Sequence, residues 1–193
     1  MKLHNSSMNR KLFCVNLAAQ PGAGKSTTAA YVFADLKNRG CNVELITEYC
    51  KQLVYSARQS EMCNQIYLFA KQLKKMDDIA RYGKVPLIIT DSPLLLGLAY
   101  SVQLPYFFEL DALVRKIHDG FRNFNVLIKR TKPYNPSGRN QTQDESDALA
   151  NTIEAIFDER FDMVINGDEE GQKLLSERVF SLYQDLIHED QEN

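Results

Sequence analysis

The sequence predicts a single α/β domain whose parallel sheet carries helices on both faces. Three observations lead there. Apolar runs of five or six residues recur along the chain and alternate with longer stretches of helical period. The run PLIIT is apolar on both faces, as strands buried in a parallel sheet tend to be. The stretches between runs are long enough for right-handed helical crossovers. A length of 193 residues, 44% hydrophobic and 25% charged, fits one globular domain with a full core of its own.

Residues 12–17 (LFCVNL) read as the first strand. The loop AAQPGAGKSTT follows and opens a helix over 29–39, with Gly40 placed as a helix C-cap. Residues 43–47 form the second strand, and helices are expected over 50–56 and 60–82. The second of these carries Met62, Ile66, Phe69, Leu73 and Met76 at helical spacing, one apolar stripe closed by Gly83. Residues 86–90 are the third strand, 110–121 a helix, 125–129 the fourth strand, 144–157 a helix, 162–166 the fifth strand and 172–188 the last helix. The segment 131–143, with two prolines and a glycine, is a loop, and residues 1–10 are expected to be flexible.

Charge and cysteine usage narrow the function classes. With 23 basic and 25 acidic residues the net charge is −2, which argues against a nucleic-acid coat or polybasic membrane binder but leaves room for a local basic patch. Cys14, Cys41, Cys50 and Cys63 form no CxxC pair, and His4, His118 and His188 have no metal-ligand spacing with them. The first residues, MKLHNSSMNRKLF, lack a signal-peptide core, and no run of about 18 apolar residues occurs. A cytoplasmic protein with reduced thiols is the expectation.

The strongest chemical signal is Ala19-Gln20-Pro21-Gly22-Ala23-Gly24-Lys25-Ser26, between the first strand and the first helix. Gly22 and Gly24 let the backbone curl until the amides around Ala23 point inward, a nest for phosphate oxygens. The helix beginning near Lys25, continuing through Ser26 and Thr27, adds its positive end and unpaired N–H groups. Lys25 offers a compact cation to the β- and γ-phosphates, and the Ser26 hydroxyl is a ligand suited to Mg²⁺. This pattern predicts nucleoside triphosphate binding.

Two acids stand at strand carboxyl ends, where the crevice of a parallel sheet lies. Asp91 ends the third strand in VPLIITDSP and is a candidate to hold Mg²⁺, directly or through water; its other reading is an N-cap before a helix over 94–99. Glu48 ends the second strand in VELITEYCK and could take a proton from an acceptor hydroxyl; its other reading is a first-turn Glu in solvent. Either carboxylate is a candidate base. After the fourth strand, Lys129, Arg130, Lys132 and Arg139 put four cations in eleven residues on a Pro- and Gly-punctuated segment. That suits a lid whose guanidinium groups neutralise a phosphoryl group in transfer, with Arg130 and Arg139 the preferred pair and a solvated basic loop the alternative.

Taken together, AAQPGAGKST, ITEYCK, DSP and the late arginines resemble the P-loop nucleoside and nucleotide kinase superfamily. The chain is most similar to the AAA-type P-loop group that includes nicotinamide riboside kinase domains and many phage-encoded proteins. The resemblance implies a three-layer P-loop NTPase fold with strand order 2-3-1-4-5. It further implies ATP and Mg²⁺ as cofactors, with γ-phosphoryl transfer to a nucleoside- or nucleotide-like hydroxyl near Glu48. A hydroxymethylated pyrimidine in DNA is one acceptor of that kind. In nucleotide kinases of this type Arg commonly follows the strand-three acid, whereas Ser92 and Pro93 follow Asp91 here, which leaves Arg58 as a candidate for an acceptor phosphate.

Acceptor recognition is expected after strands two and three, where Tyr49, Gln65, Tyr67, Tyr100, Tyr106, Phe107 and Phe108 offer rings and an amide; core packing is the other reading of these aromatics. A P-loop ATPase acting as a switch is the competing function. A GTPase is disfavoured because Asn166-Gly167-Asp168 lacks the Lys of a guanine-reading motif, and the expected assembly is a monomer or homodimer.

Overall fold

In the computed structural model, residues 12–50, 53, 56, 61, 64–133, 142–158 and 160–191 are described. Five parallel strands form one sheet in the order β2-β3-β1-β4-β5: β1 Phe13–Ala18, β2 Val43–Ile46, β3 Leu87–Thr90, β4 Arg122–Lys129 and β5 Met163–Asn166. Helix α1 spans Lys25–Asn38, α2 Gln65–Asp78, α3 Leu96–Ala99, α4 Phe107–His118, α5 Gln143–Ile156 and α6 Glu169–Gln191. This is the architecture and strand order the resemblance implied.

The sheet divides the core by residue parity. Phe13, Val15 and Leu17 of β1 pack with Leu87, Ile89, Val126 and Ile128 against Val32 and Leu36 of α1 and Leu175 and Val179 of α6. Leu12, Cys14 and Ala18 join Ile46 and Ile88 on the opposite face, beneath Met76 of α2, Leu110 and Val114 of α4, and Ile153 and Ile156 of α5. Asn16 interrupts this second face and is 1% exposed. Its amide donates to Asn123 Oδ1 at 2.9 Å and Asn125 Oδ1 at 3.0 Å, so the buried donor is satisfied on β4. Burial also pushes the Cys14 thiol well above the ordinary range, and Cys14, Cys41 and Cys50 are all unbridged. Among the described residues, no helix is long and apolar enough to cross a membrane.

Element boundaries depart from expectation in instructive places. Asn64 caps α2 by accepting the Tyr67 N–H at 3.0 Å. Ile66 therefore falls in the exposed first turn, 47% accessible, and the buried stripe narrows to Met76 with Phe69 and Leu73 partly covered. Met62 lies outside the described residues. The end of α2 widens into a π turn, Ile79–Gly83, and the left-handed residue that stops it is Lys84 (φ 49°), not Gly83. Gly40 does take the left-handed conformation expected of it, at φ 79°.

Leu17 is fully buried at the sheet centre, whereas Phe108 on α4 is 82% exposed. Leu17→Ala should cost about 2–5 kcal/mol, read as a lower urea midpoint, and Phe108→Ala should stay within about 0.5 kcal/mol of the parent.

Candidate active site

The loop, Glu48, Asp91 and Arg130 all sit at the carboxyl edge of the sheet. The loop of residues 19–26 follows the central strand β1; Asp91 and Glu48 follow β3 and β2 on one side; Arg130 and Gly167 follow β4 and β5 on the other. Strand order thus gathers residues far apart in sequence around one crevice.

The loop curls through two left-handed glycines, Gly22 at φ 84° and Gly24 at φ 97°. Gly24 is the residue from which α1 begins, and its carbonyl accepts the Thr28 N–H at 2.9 Å. Lys25 Nζ reaches back across the loop to the Ala19 carbonyl at 2.7 Å and the Gln20 carbonyl at 3.4 Å. Ser26 lies in the first turn of α1 and Thr27 is exposed. Thr28 is fully buried, with its hydroxyl oxygen lacking a hydrogen-bond partner.

A third glycine supports the curl from outside. A Cβ on Gly167 would lie 2.2 Å from the Ala23 carbonyl and 3.2 Å from that of Lys129, and the Gly167 N–H donates to Lys129 O at 2.8 Å. The end of β5 is therefore pressed directly against the loop backbone. The requirement is close approach, and no short motif signals it.

Helix α5 braces the same loop. Ser146, fully buried, donates from Oγ to the Pro21 carbonyl at 2.9 Å and accepts from Arg130 Nη1 at 3.3 Å. Arg130 also pairs with Asp147 at 2.5 Å. The helix is fixed by a reciprocal cap: Thr142 Oγ1 accepts the Glu145 N–H while Glu145 accepts the Thr142 N–H. The start of α5 thus holds Ser146 against the loop and Asp147 against Arg130. Arg139 and Arg58 lie outside the described residues.

On the other side the two acids meet. Asp91 is 2% exposed and its Oδ1 accepts the Glu48 backbone N–H at 2.9 Å. It is therefore not the cap of the short helix, whose N-terminal boundary is Leu95. Lys75 Nζ donates to the Thr47 carbonyl at 3.0 Å, beside this pair. Burial lowers the Lys75 pKa below its usual value, with the Asp91 charge opposing that shift. Tyr49 and Tyr67 pack edge to face with hydroxyls 3.0 Å apart. Lys71 lies 5.7 and 5.4 Å from their ring centroids, and Lys75 is 5.5 Å from that of Tyr49. Desolvation, with the nearby Glu48 and Cys50 charges, holds the Tyr100 phenol above its usual pKa.

Of the expected acceptor aromatics, Tyr49, Tyr67 and Tyr100 are placed beside Glu48, while Phe107 packs against the core. Lys71 and Lys75 escaped the sequence reading because lysines four apart on a helix ordinarily mark a solvated face. For Mg²⁺ the donor set fits. The Ser26 hydroxyl and Asp91 carboxylate are hard oxygen ligands, and among the described residues no three His, Cys, Asp or Glu side chains form a cage of their own. Such a set suits an ion that shares its shell with phosphates and water.

No protein-family model matches the chain, and no curated protein is similar enough to count as a match. Solved structures are similar. The APS kinase of Mycobacterium tuberculosis is 17% identical, with 92% of this chain and 98% of that one covered at a TM-score of 0.50. The deoxyadenosine kinase of M. mycoides is 17% identical, with 88% and 99% covered at a TM-score of 0.52. The fold is that of the P-loop kinases.

Because Gly167 abuts the loop, Gly167→Ala should weaken binding of a fluorescent ATP analogue about tenfold or more. Gly40 has open space around its Cβ position. Gly40→Ala should cost about 1 kcal/mol of stability through its left-handed backbone and leave nucleotide affinity unchanged.

Proposed function

We propose that this protein is an ATP-dependent kinase that transfers the γ-phosphoryl group to a hydroxyl of a nucleoside- or nucleotide-like acceptor. The observation that carries the reading is the bond from the Glu48 N–H to Asp91 Oδ1. It couples the carboxylate on the triphosphate side to the segment bearing a second, more accessible carboxylate. A second acid could activate water as well as a hydroxyl, so it is its place beside an aromatic and cationic cluster that favours an acceptor over an ATPase switch. The acceptor class draws support from two solved structures of the same fold. The M. tuberculosis APS kinase has been solved with AMPPNP and APS, and the M. mycoides deoxyadenosine kinase with dCMP and dCDP.

In this reading the residues 22–27 cradle the triphosphate through backbone amides, with Lys25 neutralising the β- and γ-oxygens. Ser26 and Asp91 are the residues that would hold Mg²⁺, which supplies charge neutralisation of the phosphates when bound. Glu48 orients the acceptor hydroxyl and takes its proton as the new oxygen–phosphorus bond forms. The bond from the γ-phosphorus to the β,γ-bridging oxygen breaks, and ADP departs with that electron pair. Arg130 and Arg139 stabilise the charge on the transferring group. A hydroxymethylated pyrimidine within DNA is the less favoured acceptor, given the net charge of −2, and it enters the assay beside free metabolites.

The test is transfer of labelled γ-phosphate from ATP to nucleosides, nucleoside monophosphates, nicotinamide riboside, and DNA with or without hydroxymethylpyrimidine. Label on an acceptor is the expected result; label released only as inorganic phosphate, whatever acceptor is added, would instead establish the ATPase. Lys25→Ala should abolish transfer while the protein still folds. Glu48→Gln should lower kcat by about 10²- to 10⁴-fold, and Arg139→Ala by about 10³-fold. Full turnover in Lys25→Ala would remove the triphosphate assignment.

A further inference from the structure

Two ammonium groups project from one face of α2 into the region behind Glu48. Lys74 between them is paired with Asp78 at 2.5 Å, as a surface helix lysine ordinarily is. Lys71 and Lys75 instead make no ion pair with a carboxylate among the described residues. Their contacts are the Tyr49 and Tyr67 rings and, for Lys75, the Thr47 carbonyl. Both side chains are partly buried.

Ring faces attract a cation weakly compared with an anion, so two adjacent ammonium groups held this way keep donors to spare. The rings are themselves engaged: Tyr49 and Tyr67 meet edge to face, join through their hydroxyls, and carry the lysines over their faces. That arrangement positions cations better than it stacks a base. The acids nearby are Glu48, within reach of Tyr100, and buried Asp91, which bonds the Glu48 amide and acts on Lys75. Neither neutralises Lys71. The cluster is therefore a small cationic site beside the proposed hydroxyl-activating carboxylate.

We infer that Lys71 and Lys75 bind an anionic group of the acceptor, so that the substrate carries a phosphate monoester in addition to the hydroxyl that is phosphorylated. This rests on the kinase reading above and narrows it to phosphorylated acceptors, nucleoside monophosphates in the first place, over neutral nucleosides. Tyr49 and Tyr67 act as positioning residues that aim the two ammonium groups. The anion also explains why lysines stand where a neutral acceptor would favour an uncharged lining.

The experiment has two readouts on the intact protein. Steady-state transfer is measured with each 2′-deoxynucleoside and its 5′-monophosphate, in the parent, Lys71→Met, Lys75→Met and Lys71→Arg. Equilibrium binding of the same compounds is measured by calorimetry without ATP. The parent should prefer the monophosphate in both readouts. Each Met variant should shrink the preference about tenfold, since a charge-assisted hydrogen bond of this kind is lost, and Lys71→Arg should restore most of it.

Parent enzyme that takes neutral nucleosides as well as their monophosphates would overturn the anion site while leaving the kinase standing. Monophosphate binding that depends on both lysines, without any phosphoryl transfer, would keep the site and remove the kinase reading. A 5′-phosphorylated oligonucleotide serves as the third probe; its binding in place of mononucleotides would overturn the assignment to a free nucleotide.

Discussion

The backbone curl at Gly22 and Gly24 is the constraint to which the rest of the site is fitted. Two left-handed residues separated only by Ala23 are open without strain only to glycine. They turn the chain from the end of β1 into α1 within a few residues. Once the curl is set, several of its carbonyls have to be matched by other groups. Gly167 covers Ala23, Ser146 covers Pro21, and Lys25 covers Ala19 and Gln20. Two separate parts of the chain, the end of β5 and helix α5, therefore complete one loop, which ties its shape to the integrity of the β4–β5 half of the domain.

Sheet topology then separates the two chemical tasks. β1 lies between β3 and β4, so the connections to its two sides diverge and leave the crevice between them. The β2–β3 side carries Glu48, Asp91, Lys71 and Lys75; the β4–β5 side carries Arg130 with its partners on α5. The net charge of −2 gives no hint of this division, since opposite charges close together cancel in the sum. Local placement decides the field within the crevice, where screening by solvent is weakest.

The strands and the phosphate loop were legible because each is encoded within a window of a few residues. A five-residue apolar run identifies PLIIT, and GAGKS after such a run identifies the loop. Glu48 and Asp91 were legible as strand-end acids, but their contact was not, since a bond from the 48 amide to the 91 carboxylate exists only once β2 and β3 pair. The strand order likewise came from the resemblance, not from periodicity. Gly167 and Ser146 were hidden for the same reason in stronger form, each touching the loop from more than 120 positions away along the chain. Ile66 shows the opposite failure: its helical spacing was right, but spacing cannot tell where along a helix the packing begins.

The β4 side shows how an arginine is held in place beside the loop. Arg130 is 13% exposed at its side chain, bonded to Ser146 and paired with Asp147. A guanidinium held in this way stands close to the loop with its orientation already fixed, so little side-chain entropy is left to lose when charge develops nearby. Its planar fork carries five N–H donors over more than one edge, a geometry suited to holding a carboxylate and a phosphate side by side. The pair with Asp147 thus fixes the geometry, and the bond from Ser146 to Pro21 makes the same helix turn the ruler for its distance from the loop. Positioning and charge are supplied by one connected set of residues, so any change that moves α5 alters both together.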